Sequence, residues 1–281
     1  MHNAVSAALL GEASPLMNLE IAGNSAIVTA GGGGLGRATA KEFARAGTNV
    51  VINYIDSDML EEAVDEIEPV ASDGARVVPL QGDLTDPDDI AELVSVTVDE
   101  FGGLDHIVTS AGGPPSGPFT EMDDDDWYFS VDLLLMSVVR LCREAEEPLR
   151  ADGGGTIVNS TSRSVKEAID GLVLSNAVRS GVAGLAKTLS KEFAPDVRTN
   201  VVMPGPTETQ RQVDLINAAI ERGEVDSYEE GLEAKASGIP MGRIGQPKEF
   251  GEFVVLLSSP RASYVNGAAI PIDGGAMASN V

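Results

Sequence analysis

The segment Thr29-Ala-Gly-Gly-Gly-Gly-Leu-Gly36-Arg37 constrains the fold of this chain more than any other. So dense a run of glycines is a poor helix or strand interior, because glycine loses the most backbone freedom on ordering. An apolar, β-rich run at residues 25–29 precedes it, and a helical pattern at 37–46 follows. Strand, glycine turn and helix together aim backbone N–H groups and a positive helix end at an anion. In a chain that alternates strands and helices, that anion is the pyrophosphate of a dinucleotide.

The alternation does continue. Further β-rich runs stand at 49–53, 76–81, 106–110, 156–160, 199–202 and 268–272, with helical stretches at 58–67, 86–101, 123–150 and 176–193 between them. This pattern predicts an α/β fold of the Rossmann type, a doubly wound parallel sheet in three αβα layers. One domain is expected over 18–281, after an N-terminal extension at 1–17. Residues 207–238 read as a polar helical insertion placed to act as a substrate lid. Asp86-Pro87-Asp88-Asp89 supplies a helix start with acids at its positive end. The four aspartates at 123–126 read as another helix cap rather than a metal site.

Charge removes several classes of function. With 44 acidic against 19 basic residues the net charge is −25. A broad nucleic-acid surface needs lysine and arginine on phosphates, and anionic lipid needs the same, so neither partner is expected. No apolar run is long enough for a membrane span, and no basic segment precedes the apolar stretch at the N-terminus, which points to a soluble, cytoplasmic protein. An acidic coat repels itself in dilute buffer and is tolerated when screened, which points to a halophilic source. Cys142 is the only cysteine and His2 and His106 the only histidines, so no disulfide or metal site is expected. Cys142 reads as a half-buried hydrophobe, and His106, opening an apolar strand, as structural.

Motifs beyond the glycine turn extend the reading to most of the chain. They are Gly82-Asp83-Leu84, Thr109-Ser110-Ala111-Gly112, Pro204-Gly205 with Thr209, the run 240–247, the run 262–267 and Asp273-Gly-Gly275. In this layout the chain resembles the short-chain dehydrogenase/reductase family, and most of all its β-ketoacyl-acyl carrier protein reductases. Ala30 takes the place of the family's first turn glycine. The resemblance implies a cofactor site of Thr29, Gly31, Gly34, Leu35, Gly36, Arg37, Asn53, Tyr54, Asp83, Leu84, Ala111, Gly112, Arg179, Pro204, Gly205 and Thr209. It also implies a tetramer, for which the apolar faces of Leu133, Leu134, Val138 and Leu141 and of Val182, Leu185 and Leu189 are suited, although both stripes fit equally well against the sheet. An acidic residue ending strand two would favour a ribose hydroxyl; Asn53 stands there instead. Arg37 could pair with a 2′-phosphate, so NADP is preferred and NAD remains possible, with Asp56 and Asp58 pulling the other way.

The catalytic set departs from the family. Its tyrosine moves the substrate proton, a lysine four residues on lowers the phenol pKa, a serine orients the substrate oxygen and an asparagine supports a water relay. Ser162 matches the serine, but Ser175 stands for the tyrosine, Arg179 for the lysine and Leu134 for the asparagine. A serine hydroxyl is a far weaker acid than a phenol, and arginine does not shuttle protons. Lys166 reads either as a solvated loop lysine or as a substitute donor on the substrate loop, with Arg163, Glu167 and Asp170 behind it. Gly112-Gly113-Pro114-Pro115 would edge the substrate pocket, while Tyr128 and Tyr264 sit at structural positions. Three functions are therefore open: an NAD(P)-dependent oxidoreductase of a small hydroxy or keto compound with atypical proton delivery, a catalytically silent dinucleotide-binding sensor or partner of an active homologue, or a lyase or isomerase reaction on the same scaffold.

Overall fold

Short runs of β-branched and apolar residues, each too short for a stable helix, form the sheet. The strands are β1 (Ser25–Val28), β2 (Asn49–Tyr54), β3 (Val77–Gln81), β4 (His106–Thr109), β5 (Gly155–Ser160), β6 (Val197–Pro204) and β7 (Ala269–Ile272). They lie in the order β3-β2-β1-β4-β5-β6-β7, and every pairing is parallel. The computed structural model describes residues 18–279 except Asp73 and Arg222, and leaves out the side chains of Arg211, Asp214, Leu215 and Ala218. The expected extension at 1–17 lies outside the described residues.

Because strand side chains alternate, one run of residues feeds two cores. Ala26, Val28, Ile52, Val158 and Val202 pack on one face against α1 (Gly34–Arg45), α2 (Ser57–Ile67) and α10 (Pro247–Ser258). Ile27, Val51, Ile107 and Ile157 pack on the other against α3 (Pro87–Phe101), α5 (Ser137–Glu144) and α7 (Val173–Glu192). Three αβα layers result, as the sequence pattern predicts. Asp86 caps α3, its side chain accepting from Asp88 N–H. Among the described residues no helix is long and apolar enough to cross a membrane.

Two expectations need correction, and one left open is narrowed. The single helix expected at 123–150 is broken into α4 (Asp124–Val131), a π-turn at Asp132–Met136, α5, and α6 (Glu146–Arg150). Pro148 lacks the N–H that would bond the carbonyl of Glu144, which ends α5. The aspartates do cap α4, with Asp123 and Asp126 in a reciprocal box. Helix α10 was not foreseen, although Gln246, Pro247 and Glu249 carry a capping box and a proline start. The apolar stripes offered to a tetramer are largely used within the chain: Leu134, Val138, Leu141, Val182 and Leu189 are all buried.

His106 is fully buried, with Nε2 accepting from Asn24 at 2.9 Å and Nδ1 at 2.8 Å from Thr156 Oγ1. Burial pushes its pKa down to about 4, and Arg198 adds to the shift while Asp105 opposes it. Unfolded, the ring takes a proton near its ordinary 6.5, so protonation favours the unfolded chain. Stability from this group is complete above pH 6.5 and lost as pH falls toward 4. Denaturant melts of His106→Gln and the parent across that window should show a steeper loss of stability toward acid in the parent than in the variant.

Candidate active site

The C-terminal ends of the parallel strands open into a cleft of about 600 Å³. In doubly wound sheets ligands sit at this end, where the strand order reverses. Here the reversal lies between β1 and β4, and the glycine turn sits beside it.

Of the expected cofactor residues, Gly34, Leu35, Asn53, Tyr54, Asp83 and Leu84 line the cleft on one side of the reversal. Ala111, Gly112, Arg179, Pro204 and Thr209 line it on the other. Asn53 is nearly fully buried and donates to Gly82 O at 3.0 Å, tying β2 to the loop that holds Asp83. The Asp83 carboxylate accepts from Thr85 N–H and Oγ1, both at 2.8 Å, which fixes its orientation.

Five expected residues build the cleft without lining it. Thr29 Oγ1 donates to Ser110 O at 2.6 Å and accepts from Ser110 N–H at 2.8 Å, clamping β1 to the segment after β4. A Cβ on Gly31 would stand 2.8 Å from Ile52 Cβ, one on Gly36 2.3 Å from Ala30 O, and one on Gly205 2.7 Å from Asp273 Cα. These glycines are required by protein contacts. A side chain at Gly36 therefore disrupts the turn itself and does not merely block a pyrophosphate. Arg37 donates to Gly32 O and pairs with Glu66 at 3.0 Å and Glu62 at 3.5 Å.

Ala30 has φ +51, in the left-handed region where a Cβ is strained. Ala30→Gly is expected to raise stability by about 1 kcal/mol, read as a higher denaturant midpoint at unchanged slope.

Two of the four catalytic positions share one helix. Ser175 and Arg179 lie one turn apart on α7, and Arg179 Nε donates to Ser175 Oγ at 3.1 Å. The guanidinium also reaches Gly112 O at 3.4 Å and Ser160 O and Thr161 O at 3.5 Å each, bridging β4, β5 and α7. Leu134 is buried inside the π-turn and lines a cavity of about 20 Å³ beside the cleft, together with Ser137, Ser160 and Arg179. That space holds about one water molecule. Ser162 Oγ accepts from Ser164 N–H at 3.1 Å, capping the turn Arg163–Val165 next to the cleft residues Ser160 and Thr161.

Other donor candidates are placed elsewhere. Lys166 is exposed and lines a different pocket, beyond α7, because the turn at 163–165 carries the chain away from the cleft. Glu167 accepts from Ala278 and Ser279 N–H groups, and Asp170 is exposed. Tyr128 and Tyr264 are both exposed outside the cleft. Cys142 is buried, more deeply than its half-buried reading, and burial pushes its thiol up to about 12. Among the described residues no cluster of three or more metal-ligating side chains exists.

Over this site and fold, residues 29–277 match the family model described as Enoyl-(Acyl carrier protein) reductase. The chain belongs to the short-chain dehydrogenase/reductase family. It is similar to the 3-oxoacyl-[acyl-carrier-protein] reductase of Thermotoga maritima, 30% identical over 258 residues that cover 92% of this chain and 99% of that one. Among solved structures it resembles the L-sorbose reductase of Gluconobacter frateurii complexed with NADPH and L-sorbose. That likeness has a TM-score of 0.89 at 29% identity and covers 94% of this chain and 100% of the other. A 7α-hydroxysteroid dehydrogenase complexed with NADH aligns with a TM-score of 0.81 at 27% identity, covering 92% and 96%. Membership places this short-chain dehydrogenase/reductase among NAD(P)-linked oxidoreductases.

Phe129 and Leu133 also line the cleft, as do Ile55 and Met59. The sequence reading missed all four as site residues. Phe129 and Leu133 share the i, i+4 spacing of one helix face, which reads as core until the π-turn sets where that face points.

Proposed function

We propose that this chain catalyses hydride exchange between NAD(P)H and a small hydroxy or keto compound, with the Ser175–Arg179 pair in place of the family's phenol and lysine. The 3.1 Å bond from Arg179 Nε to Ser175 Oγ carries the reading. Ser175 Oγ is buried and does not line the cleft, so its part is to orient the Arg179 guanidinium, which does line it. That fixed positive charge stabilises the alkoxide that develops as the carbonyl carbon takes the hydride. The nicotinamide supplies or accepts that hydride when bound. In reduction the substrate oxygen takes a proton that is ultimately drawn from water, because arginine releases none. The cavity beside Leu134 is sized for one such water and borders Arg179. The insertion at 207–238, whose helices are α8 (Gln210–Glu221) and α9 (Tyr228–Ala236), serves as the lid, with Thr209 and Gln210 on the cleft wall.

The preference for NADP rested on Arg37, whose guanidinium is held by Gly32 O, Glu62 and Glu66. Arg179 is the only cation among the described residues that line the cleft. A 2′-phosphate would therefore have to break existing pairs, and NADH is the better-suited partner on this ground. A second reading, the silent sensor, draws on the same residues: Ser175 has no acidity near neutral pH, so binding without turnover follows if the Arg179 charge alone is insufficient.

Titration of NADH and NADPH by cofactor fluorescence, followed by assay against a carbonyl panel, tests the proposal. Binding of NADH at least as tight as NADPH, with turnover of some panel member, is expected. A clear NADPH preference would overturn the cofactor assignment, and binding with no turnover would favour the sensor.

A further inference from the structure

After β6 the chain enters the insertion through a short stem, residues 206–209. Two backbone bonds clamp this stem to the segment before α10. Gly245 N–H donates to Pro206 O and Glu208 N–H to Gly245 O, both at 2.9 Å. Thr209 follows at once. It lies on the cleft wall, and its carbonyl accepts from Gln212 N–H at 2.8 Å and Val213 N–H at 3.1 Å, which starts α8. The placement of residue 208 therefore sets both a wall residue of the cleft and the direction of a helix.

The Glu208 carboxylate reaches beyond the stem in two directions. One oxygen accepts from Gln246 Nε2 at 2.7 Å and the other from the Tyr228 hydroxyl at 3.0 Å. Gln246 is the N-cap of α10, which is anchored in the core by Phe250, Val254 and Leu257. Tyr228 opens α9, on the insertion. Hydrogen bonds to an ionised acceptor are stronger than neutral ones. Helices α8 and α9 are themselves closely joined: Ile216 is buried, and a Cβ on Gly231 would stand 2.4 Å from Ile216 Cγ2. A bond that holds Tyr228 thus holds the helix pair.

We propose that Glu208 is a positioning residue, a carboxylate latch that ties α9 to the start of α10 and so governs how fast the cofactor leaves the cleft. The inference rests on reading 207–238 as the lid of that cleft. Glu208, Tyr228 and Gln246 do not line the cleft; the latch acts on its contents through Thr209 and Gln210, which do. Cutting the Tyr228 arm releases α9, and α8 with it, from the core while the two backbone bonds of the stem stay in place.

Stopped-flow displacement of bound NADH, read by its fluorescence, tests the latch, with hydrogen exchange of α9 measured in parallel. Neither readout needs turnover, so the result is independent of whether the protein reduces a ketone. Glu208→Ala is expected to speed NADH release by about tenfold and Tyr228→Phe by about threefold. The double variant should release no faster than Glu208→Ala alone, because both substitutions cut the same bond. Glu208→Gln keeps an acceptor for Tyr228 and should fall between Glu208→Ala and the parent. Glu229→Gln removes an equal charge from the exposed residue beside Tyr228 and should leave release unchanged. NADH should slow exchange of α9 in the parent and slow it less in Tyr228→Phe, a variant that leaves the stem intact even if Glu208→Ala does not fold. Parent-like release in Tyr228→Phe, or effects of the two substitutions that multiply, would overturn the latch while protection of α9 by NADH in the parent still upholds the lid. Exchange of α9 that NADH leaves unaltered in the parent would remove the lid itself, and the latch with it.

Discussion

Arg179→Leu is expected to slow single-turnover hydride transfer by about 10²–10³-fold, the cost of removing one preorganised charge from a developing oxyanion. Leucine keeps much of the apolar stem, so the loss measures the guanidinium rather than packing. The same substitution removes the donor to Ser175 Oγ and the bridge to Gly112, Ser160 and Thr161. Cofactor affinity should therefore fall too, by roughly tenfold, since a charged hydrogen bond contributes about 1.5–3 kcal/mol and several of these contacts are long. Arg179→Lys should keep the charge and recover part of the rate. Stopped-flow oxidation of bound NADH separates the two effects. An unchanged single-turnover rate in the leucine variant would mean that Arg179 takes no part in the chemistry.

The other large effect is expected at Gly36, where a Cβ would stand 2.3 Å from Ala30 O and 2.8 Å from its carbonyl carbon. Both are backbone atoms of the turn itself, so relief requires the turn to open. Gly36→Ala should cost about 2–3 kcal/mol and lower the melting temperature by roughly 5–10 °C for a chain of this size. Cofactor binding should be lost alongside, because the N–H groups at the start of α1 move. Gly34→Ala makes the contrast. Its Cβ would meet nothing closer than Thr209 at 3.7 Å, so only the strain of φ +53 is added, about 1 kcal/mol. Equal thermal shifts in the two variants would show that the clash at Gly36 is not what requires glycine there.

Much of this was legible in the sequence, for physical reasons that differ by element. The strands show because a parallel sheet buries both faces, leaving short apolar runs such as Ala26-Ile27-Val28. The glycine turn shows because few other segments tolerate such density. What each glycine does was not legible: Gly31, Gly36 and Gly205 answer to contacts with Ile52, Ala30 and Asp273, which are distant or folded back in space. The broken helix at 123–150 was half visible, in Pro148 but not in the π-turn, which no residue type announces. Of the two readings of Lys166, the donor role leaned on its closeness to Ser162 along the chain, and the intervening turn sends it, exposed, to another pocket. The pairing of Arg37 with Glu62 and Glu66 was not legible, because those glutamates lie a helix away, on α2.

Transfer of isotope tests the central claim most directly. NADH and NADPH carrying deuterium at the transferring carbon are mixed with the protein and a panel of small ketones, and the products are read by mass spectrometry. The predicted result is deuterium on the carbinol carbon of at least one product, formed about 10²–10³-fold more slowly in Arg179→Leu. Cofactor that binds in the cleft while its deuterium never leaves, with any ketone tried, would contradict it.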